Sequence, residues 1–173
     1  MFPAGAAIEI GKTSCVPIQA VRNRLASVPP IRRKARSVEV QAMEMIHVMT
    51  RHPETIHPDD TLAKAKEMMD AAGFRRLPVV KDGEVVGMLT ERDLRAHAGY
   101  LESSKVNAAM STPVVSVGPH STVQEATRLM LHHKVGGLPV MDGGVLVGIV
   151  TTIDMLRAFL EVVETLERTR PSS

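Results

Sequence analysis

The chain has 173 residues, 44% of them hydrophobic and 23% charged, which suits one globular domain or two small ones. It contains no apolar run of about 18 residues that could cross a bilayer, and its N-terminus lacks the features of a secretory signal. Cys15 is the only cysteine, so no internal disulfide can form. This cysteine usage is typical of a reducing compartment, and we expect a cytoplasmic protein without membrane contact.

The N-terminal segment differs in charge from the rest of the chain. The net charge is only +2, yet seven basic residues and no acidic residue lie between positions 10 and 38. Weak periodicity and the Pro29–Pro30 pair predict a flexible basic extension over residues 1–42. A basic tail can contact nucleic acid, but this one lacks interleaved aromatic residues for base stacking. A solvated tail is therefore the favoured interpretation.

The remainder of the chain contains an internal repeat. LPVVKDGEVVGMLTERDL at 77–94 matches LPVMDGGVLVGIVTTIDM at 138–155 with a constant offset of 61 residues. Such a period predicts one supersecondary unit that is built twice. We place repeat 1 at 45–102 and repeat 2 at 106–163, with its last helix reaching about 167 and a tail at 168–173.

Both repeats predict the same order of elements. A short strand (Glu54–Ile56 or Val114–Val117) precedes a helix, which starts at Asp60 or Thr61 in repeat 1 and at the Thr122 capping box in repeat 2. Two strands joined by a glycine turn follow, as Asp-Gly sequences indicate. A final helix is predicted at 91–98 and again at 152–167.

The predicted fold class is α+β (α/β by some schemes), with two β-α-β-β-α repeats. Neither repeat can bury both faces of its sheet alone. We therefore expect the repeats to pack sheet to sheet with pseudo-two-fold symmetry.

These motifs resemble a tandem pair of cystathionine-β-synthase (CBS) domains, often called a Bateman module. The resemblance rests on Val48-Met49-Thr50 and Ala109-Met110-Ser111, on the two Leu-Pro-Val strands, and on the two Gly-x-x-Thr-x-x-Asp segments. It covers about 120 of the 173 residues and leaves residues 1–42 outside. The resemblance implies a non-catalytic sensor that binds AMP, ADP, ATP, S-adenosylmethionine or a dinucleotide in clefts between the repeats. It also implies a homodimer that acts on an effector protein, which the sequence does not identify.

The Thr-x-x-Asp segments suit a nucleotide for a chemical reason. Thr90 and Asp93, like Thr151 and Asp154, stand where a strand turns into a helix. The helix start and the hydroxyl can bind phosphate, whereas the carboxylate can accept hydrogen bonds from a ribose diol. The same spacing also fits a plain capping box, with threonine as the cap and aspartate at the third helical position. We favour nucleotide contact in at least one repeat.

The predicted ligand site combines these segments with their neighbours. Arginines beside the motif can pair with phosphate, and the strands around it can admit an adenine. Whether the arginines serve one cleft or the other stays open. The candidate ligand-binding residues are Thr90, Arg92, Asp93, Thr151, Asp154, Arg75, Arg76, Thr55, Ile56, Val115, Ser116, Gly137, Pro78 and Pro139.

Other functional classes have less support. The histidine spacing fits no metal site, no second cysteine supports zinc, and no nucleophile set has a recognisable context, so we expect neither a metal, a required cofactor nor an enzyme. Two alternatives to the nucleotide sensor remain. One is a dimerising scaffold that has lost its ligand, and the other is a nucleic-acid-associated protein that uses the basic extension.

Overall fold

The computed structural model describes residues 43–168. The predicted basic extension at 1–42, with Cys15, lies outside the described residues, as do residues 169–173. The described elements are, in chain order, α1 (Met45–Val48), β1 (Thr50–Arg51), α2 (Leu62–Ala72), β2 (Arg76–Lys81), β3 (Glu84–Thr90), α3 (Glu91–Ala96), a 3-10 turn (Val106–Ala108), α4 (Val123–His133), β4 (Gly137–Asp142), β5 (Val145–Thr151) and α5 (Thr152–Arg168). The order α2-β2-β3-α3 recurs as α4-β4-β5-α5, and the predicted α+β repeat fold is confirmed.

The equivalent helices α2 and α4 begin at the threonines that the sequence predicts as caps. The Thr61 hydroxyl accepts a hydrogen bond from the Lys64 amide at 3.2 Å. In repeat 2, Thr122 and Glu125 form a reciprocal capping box, with both hydrogen bonds at 3.1 Å. At the other end of α2, Gly73 adopts a left-handed φ of 71°, which glycine tolerates without a steric penalty.

The glycine turns join two antiparallel hairpins. β2 pairs with β3, and β4 pairs with β5. Asp82 and Gly83 have φ values of 51° and 84°, and Gly143 and Gly144 have values of 54° and 90°. Two consecutive residues with positive φ match the twist of a tight hairpin, so the Asp-Gly signal identified this turn correctly.

Two kinds of predicted element are shorter than expected. The strands predicted at 54–56 and 114–117 are reduced to single parallel bridges, from Ile56 to Val79 and from Val117 to Val140. Pro53 flanks the first of these segments, and proline has no backbone N–H for a ladder. The final helix of repeat 1 ends at Ala96 rather than at 98.

Each repeat receives the first segment of the other repeat. Met45, fully buried, packs in the core of repeat 2 with Leu129 and Leu138. Val106, also fully buried, packs in the core of repeat 1 with Leu77. In the same way, β1 pairs with β5, and Ser111 forms a bridge with Met88 of β3. Each core therefore contains residues from both repeats, and these exchanged segments join the two repeats.

Candidate functional site

Two clefts lie between the repeats, and each is built from both of them. The Thr90 cleft, about 470 Å³, is lined by 90–93 together with 113–115 and 134–137 of the other repeat. The Thr151 cleft, about 700 Å³, is lined by 151–153 together with 52–54 and 73–76. Both volumes fall in the range of about 300–1,000 Å³ that is usual for small-molecule sites.

In the Thr90 cleft, one carboxylate oxygen of Asp93 accepts the hydrogen bonds that cap the start of α3. The Thr90 amide and hydroxyl both donate to Asp93 Oδ2, at 2.8 and 2.6 Å. Within residues 43–168, Oδ1 accepts no hydrogen bond, and Asp93 lines the cleft. The capping contact and an acceptor for a ligand hydroxyl are thus compatible. Because α3 has only six residues, its helix dipole offers little to an anion, and the charged side chains of the cleft are the groups available for one.

The equivalent carboxylate in repeat 2 is placed differently. The Thr151 amide and hydroxyl donate to Asp154 Oδ2 at 2.8 and 2.7 Å, as in repeat 1. Asp154 is only 9% exposed, however, and it does not line the Thr151 cleft. Its Oδ1 lies 3.6 Å from a guanidinium nitrogen of Arg157. The two motifs share a cap, but only the first presents its carboxylate to a cleft.

Arg76 lies between the two clefts and lines both of them. It begins β2, and its guanidinium crosses to repeat 2, where it donates to the carbonyl oxygen of Gly136. Burial lowers the pKa of Arg76, and the charge of Asp154 partly offsets that decrease. The group remains charged at neutral pH, since a guanidinium is not deprotonated in proteins. Arg75 also lines both clefts, so the clefts share two arginines, of which Arg76 is the half-buried one.

The glycines of repeat 2 provide the space for Arg76. A Cβ built on Gly137, the counterpart of Arg76 at the offset of 61 residues, would lie 2.6 Å from Arg76 Cδ and 3.2 Å from the Val150 carbonyl oxygen. A Cβ on Gly136 would lie 2.8 Å from an Arg76 guanidinium nitrogen. Real Cβ atoms do not come within 3.0 Å of another heavy atom, so Arg76 keeps this position only while both counterparts are glycine, and a larger residue there would force its side chain to move.

We predict that Gly137→Ala lowers the free energy of unfolding by about 1–3 kcal/mol, because it displaces the Arg76 side chain. Arg76→Ala, introduced into the same protein, should restore part of that loss. Urea melts of both single variants and of the double variant measure the coupling between the two positions. Strictly additive effects would show that Arg76 does not occupy this space.

The structure brings half of the predicted residues to the Thr90 cleft: Arg75, Arg76, Thr90, Arg92, Asp93, Val115 and Gly137. Arg75 and Arg76 also line the Thr151 cleft, together with Thr151. The remaining candidates line neither cleft: Thr55, Ile56, Pro78, Ser116, Pro139 and Asp154. Ile56, Pro78 and Pro139 are buried in the cores instead, which removes them from the cleft surfaces.

Several lining residues were not predicted from the sequence. Lys134 and Arg95 add charge to the Thr90 cleft, and Phe74 and Ile153 add apolar surface to the Thr151 cleft. The offset could have identified Lys134, which stands where repeat 1 has Gly73. In the part of the chain that the structure describes, no group of three or more His, Cys, Asp or Glu side chains could hold a metal ion. No helix within it is long and apolar enough to span a membrane.

Comparison with known proteins identifies the family of this fold. The sequence matches the CBS domain twice, over residues 44–99 and 105–161. The CBS domain-containing protein YhcV of Bacillus subtilis is 37% identical over 110 residues, which cover 62% of this chain and 79% of YhcV. Inosine-5'-monophosphate dehydrogenase of Korarchaeum cryptofilum is 36% identical over 103 residues, but the match covers 58% of this chain and only 21% of that enzyme.

A solved structure shares the arrangement of the two repeats. The structure of CBSX2 in complex with AMP superimposes with a TM-score of 0.63 at 26% identity and covers 69% of this chain and 98% of CBSX2. The chain belongs to the CBS-domain family, with two CBS domains in tandem.

Proposed function

We propose that this protein is a non-catalytic regulatory module that binds an adenosine-containing ligand between its two CBS domains. The observation that carries the proposal is the Thr90 cleft, where Asp93 stands opposite a wall from the other repeat. The AMP complex of CBSX2, a relative of the same fold, supports the ligand class. Candidate ligands are AMP, ADP, ATP and S-adenosylmethionine.

The cleft offers a partner for each part of such a ligand. Asp93 Oδ1 can accept hydrogen bonds from ribose hydroxyls, since Thr90 already occupies Oδ2. Met88 and Val115 provide apolar surface for an adenine ring. Arg92 provides a guanidinium for phosphate oxygens. No covalent step is needed, which suits a sensor whose ligand shifts a protein equilibrium.

A ligand screen by thermal unfolding tests the proposal. A ligand that binds only the folded state raises its stability by mass action, by about 2.7 kcal/mol at a hundredfold excess over the dissociation constant. At least one of adenosine, AMP, ADP, ATP and S-adenosylmethionine should therefore raise the melting temperature by several degrees, whereas guanosine should not. Equal melting temperatures with all of these compounds would instead favour the scaffold function.

Self-association through α5 is a second part of the proposal. Beyond its buried residues, α5 exposes a face of large apolar side chains, with Phe159 65% exposed and Leu156 58% exposed. Several large apolar side chains exposed along one helix favour a site of protein–protein contact. The proposed occupant is the same face of a second copy, which would give a homodimer that presents its clefts to an effector protein.

We predict that light scattering gives twice the chain mass of 18.8 kDa at micromolar concentration. Phe159→Asp should give the monomer mass, because a charge cannot be buried unpaired in an apolar interface. The matched control is Val145→Asp, at an exposed apolar position in the β4–β5 hairpin, and it should remain a dimer. A measured mass of 18.8 kDa for the wild type would contradict the homodimer. The exposed face of α5 would then be a surface for a different protein.

The remaining expectations concern the environment of the module. The cytoplasm remains the proposed compartment, on the basis of the single cysteine. The nucleic-acid alternative rests on residues 1–42, which lie outside the described residues. It predicts salt-dependent binding of DNA or RNA that is lost when residues 1–42 are deleted.

A further inference from the structure

The two clefts are built from equivalent positions, but these positions differ in charge. The Thr90 cleft is lined by Arg92 and Lys134. At the offset of 61 residues their counterparts are Ile153 and Gly73, and both of these line the Thr151 cleft. One cleft therefore has two cations where the other has an isoleucine and a glycine.

Among the residues that the structure describes, no carboxylate pairs with either of these two cations. In the Thr90 cleft, Glu91 lies 3.7 Å from Arg75 and 4.0 Å from Arg95, so its charge is shared between two arginines. Within residues 43–168, neither Arg92 nor Lys134 forms an ion pair. Cations that converge on a concave surface without a carboxylate partner raise the local concentration of anions.

The backbone of Lys134 adds an independent observation. Lys134 ends α4 with φ 54° and ψ 36°, in the left-handed region that L-residues with a side chain seldom adopt. Gly73 ends α2 in the same region without that strain. Repeat 2 thus has a lysine where this backbone conformation favours glycine, and repeat 1 has glycine there. Strain of this kind is commonly found where a side chain serves a site.

We propose that the Thr90 cleft selects adenine nucleotides with two or three phosphates, through Arg92 and Lys134, whereas the Thr151 cleft takes an adenosyl ligand of lower negative charge. This inference rests on the proposed function, because it assigns a ligand class to each of the same two clefts. In this arrangement Asp93 holds the ribose, and Arg92 and Lys134, which line the same cleft, are the partners for the phosphate chain.

The surface of the Thr151 cleft agrees with this division. Phe74, Ile149 and Ile153 make much of its wall apolar, and Glu54 contributes a negative charge that repels phosphate. Its volume of about 700 Å³ is larger than that of the Thr90 cleft, so a lack of space does not exclude a polyphosphate. Charge, rather than size, distinguishes the clefts.

Calorimetric titration of the full chain tests the proposal, with adenosine, AMP, ADP, ATP and inorganic triphosphate as probes at low salt and without divalent cations. The double variant Arg92→Ile, Lys134→Gly gives the Thr90 cleft the residues of its counterpart. It should lose about tenfold or more in ATP affinity, as expected when charged hydrogen bonds are removed, and less than about threefold in adenosine affinity. The double variant Arg128→Ile, Lys66→Ala removes two exposed cations outside both clefts and should bind ATP as the wild type does.

A separate measurement distinguishes a binding role for Lys134 from a structural one. Lys134→Gly alone should keep or raise the melting temperature, because it relieves the left-handed backbone, while it weakens ATP binding. A fall in melting temperature without a loss of ATP affinity would overturn the binding role.

The remaining outcomes separate this inference from the proposed function. If the wild type binds adenosine, AMP and ATP equally well, the inference is wrong and the proposed function stands. If triphosphate binds as tightly as ATP and adenosine does not bind, the cleft is an anion site and the proposed function is wrong. If no probe binds, both are wrong.

Discussion

Met45→Ala is expected to lower the free energy of unfolding by about 2–4 kcal/mol, the usual cost of truncating a buried methionine. In sequence, Met45 is the first residue of repeat 1, but its side chain is fully buried in the core of repeat 2. Its amide also donates to the Ser121 carbonyl oxygen at 2.8 Å, which fixes the exchanged segment on that repeat. Removing the side chain leaves a cavity that neighbouring residues fill only in part.

A urea melt with a single cooperative transition measures this effect. The matched control is Leu131→Ala, because Leu131 is 74% exposed on α4 and its truncation should change stability by less than about 0.5 kcal/mol. A Met45→Ala variant as stable as the control would show that the first segment of repeat 1 does not complete the core of repeat 2.

Asp93→Ala is expected to weaken adenine nucleotide binding by about tenfold or more, since a charged hydrogen bond to a ligand contributes about 1.5–3 kcal/mol. The same change removes the acceptor of two hydrogen bonds from Thr90 and should also cost about 0.5–1 kcal/mol of stability. Asp93→Asn separates the two effects. Its amide oxygen can still accept from Thr90, but its NH₂ group cannot accept from a ribose hydroxyl. Stability should largely return while affinity stays low.

Two further variants serve as controls for Asp93. Glu125→Ala removes a comparable cap at the start of α4, outside both clefts, and should lower stability without changing affinity. Asp154→Ala should affect affinity less than Asp93→Ala does, because Asp154 is nearly buried and lines neither cleft. If Asp93→Asn binds adenine nucleotides as tightly as the wild type, the Asp93 carboxylate only caps α3 and does not bind the ligand.

Local signals in the sequence predicted the elements well because their causes are local. Thr61 and Thr122 cap helices through hydrogen bonds to residues three positions away. Asp82 and Gly83 determine a hairpin through their own backbone angles. The offset of 61 residues then places matching elements in two repeats. None of these inferences requires knowledge of contacts that are distant in sequence.

The features that the sequence did not reveal depend on such distant contacts. Periodicity shows that Met45 and Val106 are apolar, but not that each packs in the other repeat. It marks Ile56 as part of a strand, although the surrounding chain makes only one bridge. Likewise, the Thr-x-x-Asp pattern does not distinguish Asp93, which lines a cleft, from Asp154, which is nearly buried and forms an ion pair with Arg157.

Methyl nuclear magnetic resonance tests the central claim most directly, because it locates the ligand. With methyl groups of Met, Val and Ile labelled, the adenine compound that binds should shift the signals of Met88 and Val115 in the Thr90 cleft, or of Ile149 and Ile153 in the Thr151 cleft. The signals of Met45 and Val106, buried in the two cores, should change little. Shifts confined to the exposed face of α5, or no shifts with any adenine compound at millimolar concentration, would contradict binding between the two CBS domains.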